Sequence, residues 1–360
     1  MSTVPFGNDP RKIERYRAFW ARSDVPRPLV GFTTRGWLPL EEYAATRAWP
    51  PDSYLAPEMV VPEAFMEDEE RLLAEGAWLD DDIIRGDSPA AAAIPWLSGI
   101  LGSRLRILPG NVLGEDGALS WEDLEGLRLD RQNPWYRKYI AFAEALVARA
   151  RGRFPVSHGA LLGPSDILAE LRGHTQSILD LMQEPERAEA LLWRSAELFQ
   201  EINEETWKRL PLFHGGYFDG MYQLWAPGPI IRMQEDASGV YSPRLYRQFL
   251  QPIDRHLAGR YACNFIHLHS TSMFLLDAFL EVEELRCFEI NNDVTGPAIE
   301  VMIRHFHKVQ AARRSLLVRG TFTPDEIRLL RDALDPRGLY LLILINDRSQ
   351  ADALRPLLGM

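Results

Sequence analysis

Two histidines at the end of an apolar segment are the residues of this chain best suited to chemistry. The segment reads Asn-Phe-Ile-His-Leu-His and ends with His267 and His269, two residues apart. In an extended strand alternate side chains point to the same face, so both imidazoles can face one point. Neutral imidazoles so arranged can bind a divalent metal or transfer protons. The alternative is a pair of satisfied polar side chains at a strand end.

Other predicted strands also end in polar residues. These candidates are His158, Asp219, Asn291, Asn292, Arg319 and Asn346. Turns alone favour Asn and Asp after a strand, but they explain a histidine less well. Glu289 precedes Asn291 by two residues and can share its face. It is therefore a candidate metal ligand with His267 and His269, the alternative being a polar residue in the interior of the fold.

Helices and short strands alternate along most of the chain, and they must position these residues. Strands are predicted at 28–32, 154–158, 216–219, 264–269, 286–291, 315–320 and 339–345, and helices at 11–21, 135–151, 166–182, 185–209, 242–260, 272–280, 298–312, 324–333 and 349–358. Repeated βα units imply a parallel sheet. Glycine-rich phosphate-binding motifs are absent. The sequence therefore predicts an α/β fold, a (β/α)8 TIM barrel, whose active site lies at the carboxyl ends of the strands.

The chain is predicted to form one domain over residues 1–360. Residues 1–130 would supply an N-terminal helical extension, the first strands and a cap-like insertion, and residues 131–360 the regular βα repeats. Several tryptophans are predicted to lie in loops, among them Trp37 and Trp225. Such rings can wall a planar or apolar ligand, although the alternative is that they pack the cap onto the barrel.

Composition excludes several classes of function. The chain has 51 acidic and 40 basic residues, and its net charge of -11 disfavours nucleic-acid binding. Apolar runs are too short to span a membrane, and no secretory signal is visible, so a cytoplasmic enzyme is expected. Cys263 and Cys287 lack metal-knuckle spacing and are expected to be inert buried thiols.

Several motifs resemble the uroporphyrinogen decarboxylase superfamily. They are a Gly-Pro-Ser-Asp turn into a helix within 159–173, an Asp-Leu-Met-Gln-Glu-Pro-Glu element within 179–187, and Glu-Asp followed by Tyr-Ser-Pro within 235–252. His267 falls where members carry a strand-end histidine. The resemblance covers residues 150 to 350 and implies the same (β/α)8 barrel. It also singles out Asp236 as a site residue.

The resemblance implies two kinds of chemistry. The superfamily contains porphyrinogen decarboxylases and methyltransferases that work with corrinoid proteins or thiol cofactors. Its zinc methyltransferases hold their metal with His-x-Cys and a later Cys, whereas this chain has His269 in place of the first cysteine. The resemblance thus implies Zn²⁺ or another divalent metal on nitrogen and oxygen ligands, with a corrinoid protein as methyl carrier. The decarboxylases carry an arginine-containing N-terminal segment, to which Arg35 is the only partial match in this chain.

The leading hypothesis is a metal-assisted methyltransferase or demethylase that acts on a small molecule. His267 and His269 would bind the metal or handle protons, while Asp219 and Asp236 orient the substrate. One alternative is a metal-independent decarboxylase of a porphyrinogen-like or other carboxylated substrate, with Arg35 gripping a carboxylate. Another is a noncatalytic barrel that binds a small ligand or a corrinoid protein. A homodimer is compatible with each of these hypotheses.

Overall fold

A six-stranded parallel sheet lies at the centre of the fold. The computed structural model describes residues 4–34, 40–89, 94–115, 117 and 119–360. Its strands are β1 (Leu29–Thr33), β2 (Tyr54–Leu55), β3 (Leu105–Leu108), β4 (Asn111–Gly114), β5 (Tyr217–Asp219), β6 (Leu224–Ala226), β7 (Ile230–Gln234), β8 (Cys263–His269), β9 (Cys287–Asn291), β10 (Ser315–Gly320) and β11 (Leu339–Leu344). The parallel sheet has the order β1-β11-β10-β9-β8-β7.

Two further segments extend this sheet beyond β1 through backbone hydrogen bonds without forming ladders. The Asp82 amide donates to the Val30 carbonyl of β1, and Asp87 forms an isolated parallel bridge with Val156. Within the described ranges, no ladder joins Val156 to β7, so the hydrogen-bonded sheet is open there. The arrangement is consistent with the predicted α/β barrel, and a fully closed sheet is not formed by these residues.

Helices connect the strands. The α-helices are α1 (Ile13–Ala21), α2 (Met66–Gly76), α3 (Trp96–Ile100), α4 (Trp121–Leu124), α5 (Pro134–Ala150), α6 (Pro164–Arg172), α7 (His174–Gln183), α8 (Pro185–Trp207), α9 (Pro243–Leu245), α10 (Gln251–Arg260), α11 (Leu276–Leu280), α12 (Ile299–Ala311), α13 (Pro324–Ala333) and α14 (Arg348–Leu354). The single helix predicted over 166–182 is wrong. It is divided at Gly173, whose φ of 85° ends α6. None of the described helices is both long and apolar enough to cross a bilayer.

The prediction of a barrel strand at 216–219 is also wrong. In the structure β5 pairs antiparallel with β6 as a separate two-stranded hairpin, and β7 takes the place in the parallel sheet. The sequence pattern missed β7 because Arg232 and Gln234 interrupt its apolar run. Both of these side chains are buried, so polar residues face the interior here.

The expected cap contains a three-stranded antiparallel sheet formed by β2, β3 and β4. Its β3–β4 hairpin brings Leu113 and Gly114 to the cavity described below. These strands are only two to four residues long, too short to give a recognisable periodic pattern in the sequence.

The core is divided into two clusters, of which the smaller fills the interior of the parallel sheet. Its members include Ile230, Phe265, Cys287, Leu317 and Tyr340, together with residues of α1. Both cysteines are buried and free, in agreement with their expected inertness. Since alternate residues share a face, the interior face changes from apolar to polar toward the strand ends. Ionisable groups therefore lie at the carboxyl ends of the strands, and apolar side chains fill the interior beneath them.

Candidate functional site

Three candidate ligand residues meet where β7 and β8 end. Gln234 is in register with His267, and the chain continues from Gln234 to Asp236 beside the end of β8. Asp236, His267 and His269 each offer one donor atom, and these atoms all lie within 4.8 Å of one another. Nε2 of His267 is 4.0 Å from Oδ1 of Asp236, and Nε2 of His269 is 3.8 Å from Oδ2.

His269 is held by a second carboxylate on its other ring nitrogen. Its Nδ1 lies 2.8 Å from Oδ1 of Asp293, whose Oδ2 accepts hydrogen bonds from the amide and hydroxyl of Ser270. The carboxylates of Asp236 and Asp293 raise the pKa of His269 to about 10. Burial acts to raise the pKa of Asp293, but the hydrogen bonds from His269, Asn291 and Ser270 outweigh it and hold this pKa well below its usual range.

His267 is held in the same way by groups on its Nδ1 side. Nδ1 contacts Oε2 of Glu289, which faces it across the β8–β9 ladder, and the Tyr222 hydroxyl lies 2.9 Å from the same nitrogen. Glu289 is fully buried. A histidine whose Nδ1–H is given to a carboxylate keeps its Nε2 lone pair for a metal. Here Nε2 is the nitrogen on the Asp236 side.

Gln234 links Asp236, which is partly exposed, to the buried carboxyl group of Asp166. The Gln234 amide donates to Asp166 at 2.8 Å and to Asp236 at 3.2 Å, and Asp166 also accepts from the Ala237 amide. Burial, together with the charge of Asp236, raises the pKa of Asp166 to about 6. Burial also acts to raise the pKa of Asp236, but the neighbouring imidazoles of His269 and His267 outweigh it, and the pKa is lowered.

A cavity of about 640 Å³ opens beside these residues. Its wall includes Asp236 and His269 of the donor group, and Asp166 and Glu170 of α6. Ligand sites in proteins are concave and few, with a small number of converging polar groups. The donor group is therefore accessible from a space of ligand size.

The donor set suits a divalent metal. Two imidazole nitrogens and one carboxylate oxygen are ligands that catalytic zinc sites use, with a further position open for water or substrate. Both histidines have a carboxylate on the ring nitrogen turned away from Asp236, the arrangement that orients metal-binding imidazoles. Asp236, His267 and His269 could therefore hold a metal. Glu289, which the sequence offered as a ligand, lies on the Nδ1 side of His267.

Asp219 and His158, two further predicted site residues, lie deeper in the fold. Oδ1 of Asp219 accepts from the Tyr222 amide at 2.9 Å, and burial, partly offset by His158, raises its pKa. Nδ1 of His158 contacts the Gly159 carbonyl, and burial lowers its pKa. Arg319 is buried in the interior of the sheet, and burial lowers its pKa to about 10.

The remaining predicted residues are placed differently. Asn291 donates to Asp293 and so supports the His269 side of the site. Asn292 contacts the Thr321 carbonyl, and Asn346 is exposed beyond β11. The structure does not bring Trp225 to the cavity, because the ring is fully buried in the smaller core cluster and donates to the Phe213 carbonyl. Arg35 and Trp37 lie outside the described residues.

Sequence reasoning missed Tyr222, Gln234 and Asp166 as site residues, and it left open whether Asp293 is a site residue or a turn residue. Asp293 had a local signal, since it follows the end of β9 as His269 ends β8. Asp166 lies in the Gly-Pro-Ser-Asp turn already noted. Tyr222 had no such signal, because it reaches His267 only through a contact across 45 residues of chain.

Comparison with family models and with curated protein sequences finds no match. Among solved structures, the chain is similar to one described as a methyltransferase from Methanosarcina mazei. The TM-score is 0.61 and the identity 16%, over 99% of this chain and 98% of that chain. At this identity the likeness concerns the fold alone. The whole of the described chain thus has the fold of that structure.

Proposed function

We propose that this chain is a metal-assisted methyltransferase or demethylase acting on a small molecule. The observation that carries the proposal is the group of Asp236, His267 and His269 at the strand ends, open to a cavity of about 640 Å³. The fold likeness to a solved methyltransferase supports the reaction type. Parallel α/β folds place their active sites at this edge of the sheet.

In this proposal Asp236, His267 and His269 hold a divalent metal, for which the nitrogen and oxygen donors suit zinc. When bound, the metal would supply Lewis-acid activation of the nucleophile that accepts the methyl group. Glu289 and Asp293 hold the two imidazoles by Nδ1, and Gln234 orients Asp236. A corrinoid protein is the proposed methyl carrier. Asp219 acts by fixing the turn that carries Tyr222, rather than by reaching the donor group.

Metal content is the first test. We expect near-stoichiometric zinc by elemental analysis of the purified protein, and its loss from the double variant His267→Ala/His269→Ala. The matched control is His305→Ala/His307→Ala, which removes a His-x-His pair from α12. This control should keep its zinc. A wild-type protein that binds no divalent metal, even after incubation with one, would contradict the proposal.

Methyl transfer is the second test. Free methylcobalamin with a panel of thiols can be followed by the visible spectrum of the corrinoid. We expect demethylation with the zinc-loaded protein, none with the His267→Ala/His269→Ala variant, and full activity in the α12 control. Carbon dioxide release from a carboxylated substrate by metal-free protein would instead favour the decarboxylase hypothesis. Saturable ligand binding without any product would favour the noncatalytic one.

A further inference from the structure

A second cavity, of about 810 Å³, lies at the end of the parallel sheet opposite to the donor group. Its wall includes Cys263 and Ser315, the first residues of β8 and β10, and Trp20 of α1. The strand β8 runs from Cys263 in this wall to His269 in the donor group. Since a strand rises about 3.3 Å per residue, these two residues are about 20 Å apart. The two cavities are therefore separate.

The wall of this second cavity carries positive charge. Five arginines line it, and they are Arg17, Arg22, Arg286, Arg313 and Arg314. Among the described residues that form the wall, none is an aspartate or a glutamate. The whole chain, by contrast, has a net charge of -11. A cleft lined by charges of one sign concentrates ligands of the opposite sign.

The sheet itself holds two of these arginines side by side. Arg286 directly precedes β9 and Arg314 directly precedes β10, and these two strands are paired. The Ser315 amide donates to the Arg286 carbonyl at 3.0 Å, which fixes the two strand starts against each other. Neighbouring strands lie about 4.8 Å apart. The backbone thus brings like charges together, and an anion bound between them would offset their repulsion.

Carboxylates near this cavity are engaged elsewhere or exposed. Glu14 lies 3.4 Å from Arg17, where both side chains are exposed, and such pairs contribute little. Asp335 is the carboxylate that acts on Arg22, and it is paired with Arg337. The positive charge of the wall is therefore only partly offset by the surrounding chain.

The other three arginines have no ion pair. Within the described part of the chain, no carboxylate pairs with Arg286, Arg313 or Arg314. In addition, Nε of Arg314 is buried without a hydrogen-bond partner among these residues. A buried donor without a partner costs free energy. A ligand oxygen accepting from this nitrogen would remove that cost.

The size and charge of the wall indicate a small ligand with several negative charges. Pockets for small molecules enclose about 300 to 1,000 Å³, a range that includes this cavity. Guanidinium groups bind phosphate and carboxylate oxygens through paired N–H donors. An anion with one charge would offset one arginine, whereas a compact polyanion can contact several of them at once.

We propose that this cavity is a second ligand site, which takes a compact polyanion bearing several phosphate or carboxylate groups. The proposal goes beyond the proposed function, because the residues of this wall are separate from the donor group. Binding here requires neither zinc nor methyl transfer, so either proposal can fail without the other.

A series of anions tests the proposal. Inorganic tripolyphosphate, citrate and acetate are titrated by isothermal titration calorimetry at constant ionic strength. We expect tripolyphosphate or citrate to bind at least about tenfold more tightly than acetate, and to bind more weakly as sodium chloride is added. The tighter of the two polyanions identifies phosphate or carboxylate as the chemistry of the natural ligand. Polyanions that bind no more tightly than acetate would overturn the proposal.

A matched pair of double variants locates the binding. Arg286→Gln/Arg313→Gln removes two exposed charges from the wall and should weaken polyanion binding at least about tenfold. The control is Arg151→Gln/Arg244→Gln, which removes two exposed charges outside the cavity. Arg151 also matches Arg313 in its backbone, with φ of 46° and 57°. The control should bind as the wild type does. An unchanged affinity in the cavity variant, or an equal loss in both variants, would overturn the proposal.

A third variant keeps the test valid if the cavity variant does not fold. Ala262 is an exposed residue of the same wall, and Ala262→Glu places a negative charge there without removing a side-chain contact. Circular dichroism verifies the fold of each variant. Ala262→Glu should also weaken polyanion binding at least about tenfold. Wild-type affinity in this variant would contradict the proposal.

The donor group provides the last control, because tripolyphosphate and citrate also bind metal ions. Polyanion affinity should be the same in the wild type and in His267→Ala/His269→Ala. A loss in this variant would place the binding at the donor group and overturn the proposal. The zinc content of Arg286→Gln/Arg313→Gln, measured on the same preparation, should equal that of the wild type.

Discussion

Glu289 and His267 face each other directly across two neighbouring parallel strands, and the carboxylate contacts Nδ1 of the imidazole. The ring is thereby turned so that Nε2 lies on the side of Asp236. His269, two residues on, has the same relationship to Asp293. Two carboxylates of β9 and its connection therefore aim two imidazoles of β8 at one region.

Replacing Glu289 tests this orientation. We expect Glu289→Gln to weaken zinc binding about 10- to 100-fold, because a partner on the far ring nitrogen fixes the tautomer and raises the basicity of the ligand. Competition with a chromophoric chelator measures the affinity. The control is Glu283→Gln, an exposed change. Equal zinc affinity in Glu289→Gln and wild type would show that the pair has no such role.

The buried carboxyl group of Asp254 predicts a pH dependence of stability. It accepts a hydrogen bond from Tyr246 at 2.7 Å, and burial raises its pKa from 3.8 to about 7. The ionised form is thus disfavoured in the folded state. The contribution of Asp254 to the free energy of unfolding therefore falls as pH rises from 3.8 to about 7, and it is constant above that range.

Asp254→Asn should remove this dependence. Its stability relative to wild type should improve by at least about 1 kcal/mol between pH 4 and pH 7. Urea unfolding of the metal-free proteins at these two pH values measures the change. The control is Glu300→Gln, an exposed change in α12, which should keep the wild-type dependence of unfolding free energy on pH. The interpretation fails if the difference between Asp254→Asn and wild type is the same at both pH values.

Gly163 allows α6 to approach β7 closely. A Cβ atom at this position would lie 1.5 Å from the Gln234 carbonyl oxygen, so the start of α6 would have to move. We expect Gly163→Ala to lower the free energy of unfolding by about 3 kcal/mol or more. Gly126→Ala is the control, since an added Cβ there meets no atom within 4 Å. Urea unfolding of both variants is the measurement, and equal stability would contradict the structure.

Asp81 joins β1 to the segment that follows α2. Its buried carboxylate pairs with Arg85 at 2.6 Å and accepts from the Phe32 amide at 2.9 Å. We expect Asp81→Ala to cost about 3 to 5 kcal/mol of unfolding free energy, because it leaves the Arg85 charge buried without this partner. The exposed Asp332→Ala should leave thermal unfolding unchanged. A small effect of Asp81→Ala in the same thermal unfolding experiment would refute this role.

Part of the fold could be predicted from local patterns. The strands β8 to β11 were predicted within one residue of their observed bounds, because each is an apolar run bounded by turn residues. Thr323 and Pro324 likewise predicted the start of α13, where the Thr323 side chain accepts from the Glu326 amide. These signals act over a few residues, so the sequence carries them directly.

The sequence by itself determined that His267 and His269 share one face of a strand, since strand geometry alone decides it. Only the tertiary structure decided which groups meet them. Asp236 follows β7, a strand that the sequence pattern did not reveal because its interior residues are polar. Tyr222 contacts His267 from a hairpin outside the parallel sheet. Trp225 packs in the core and does not line the cavity. Such contacts join residues distant in sequence, and they are fixed by the packing of whole elements and not by local spacing.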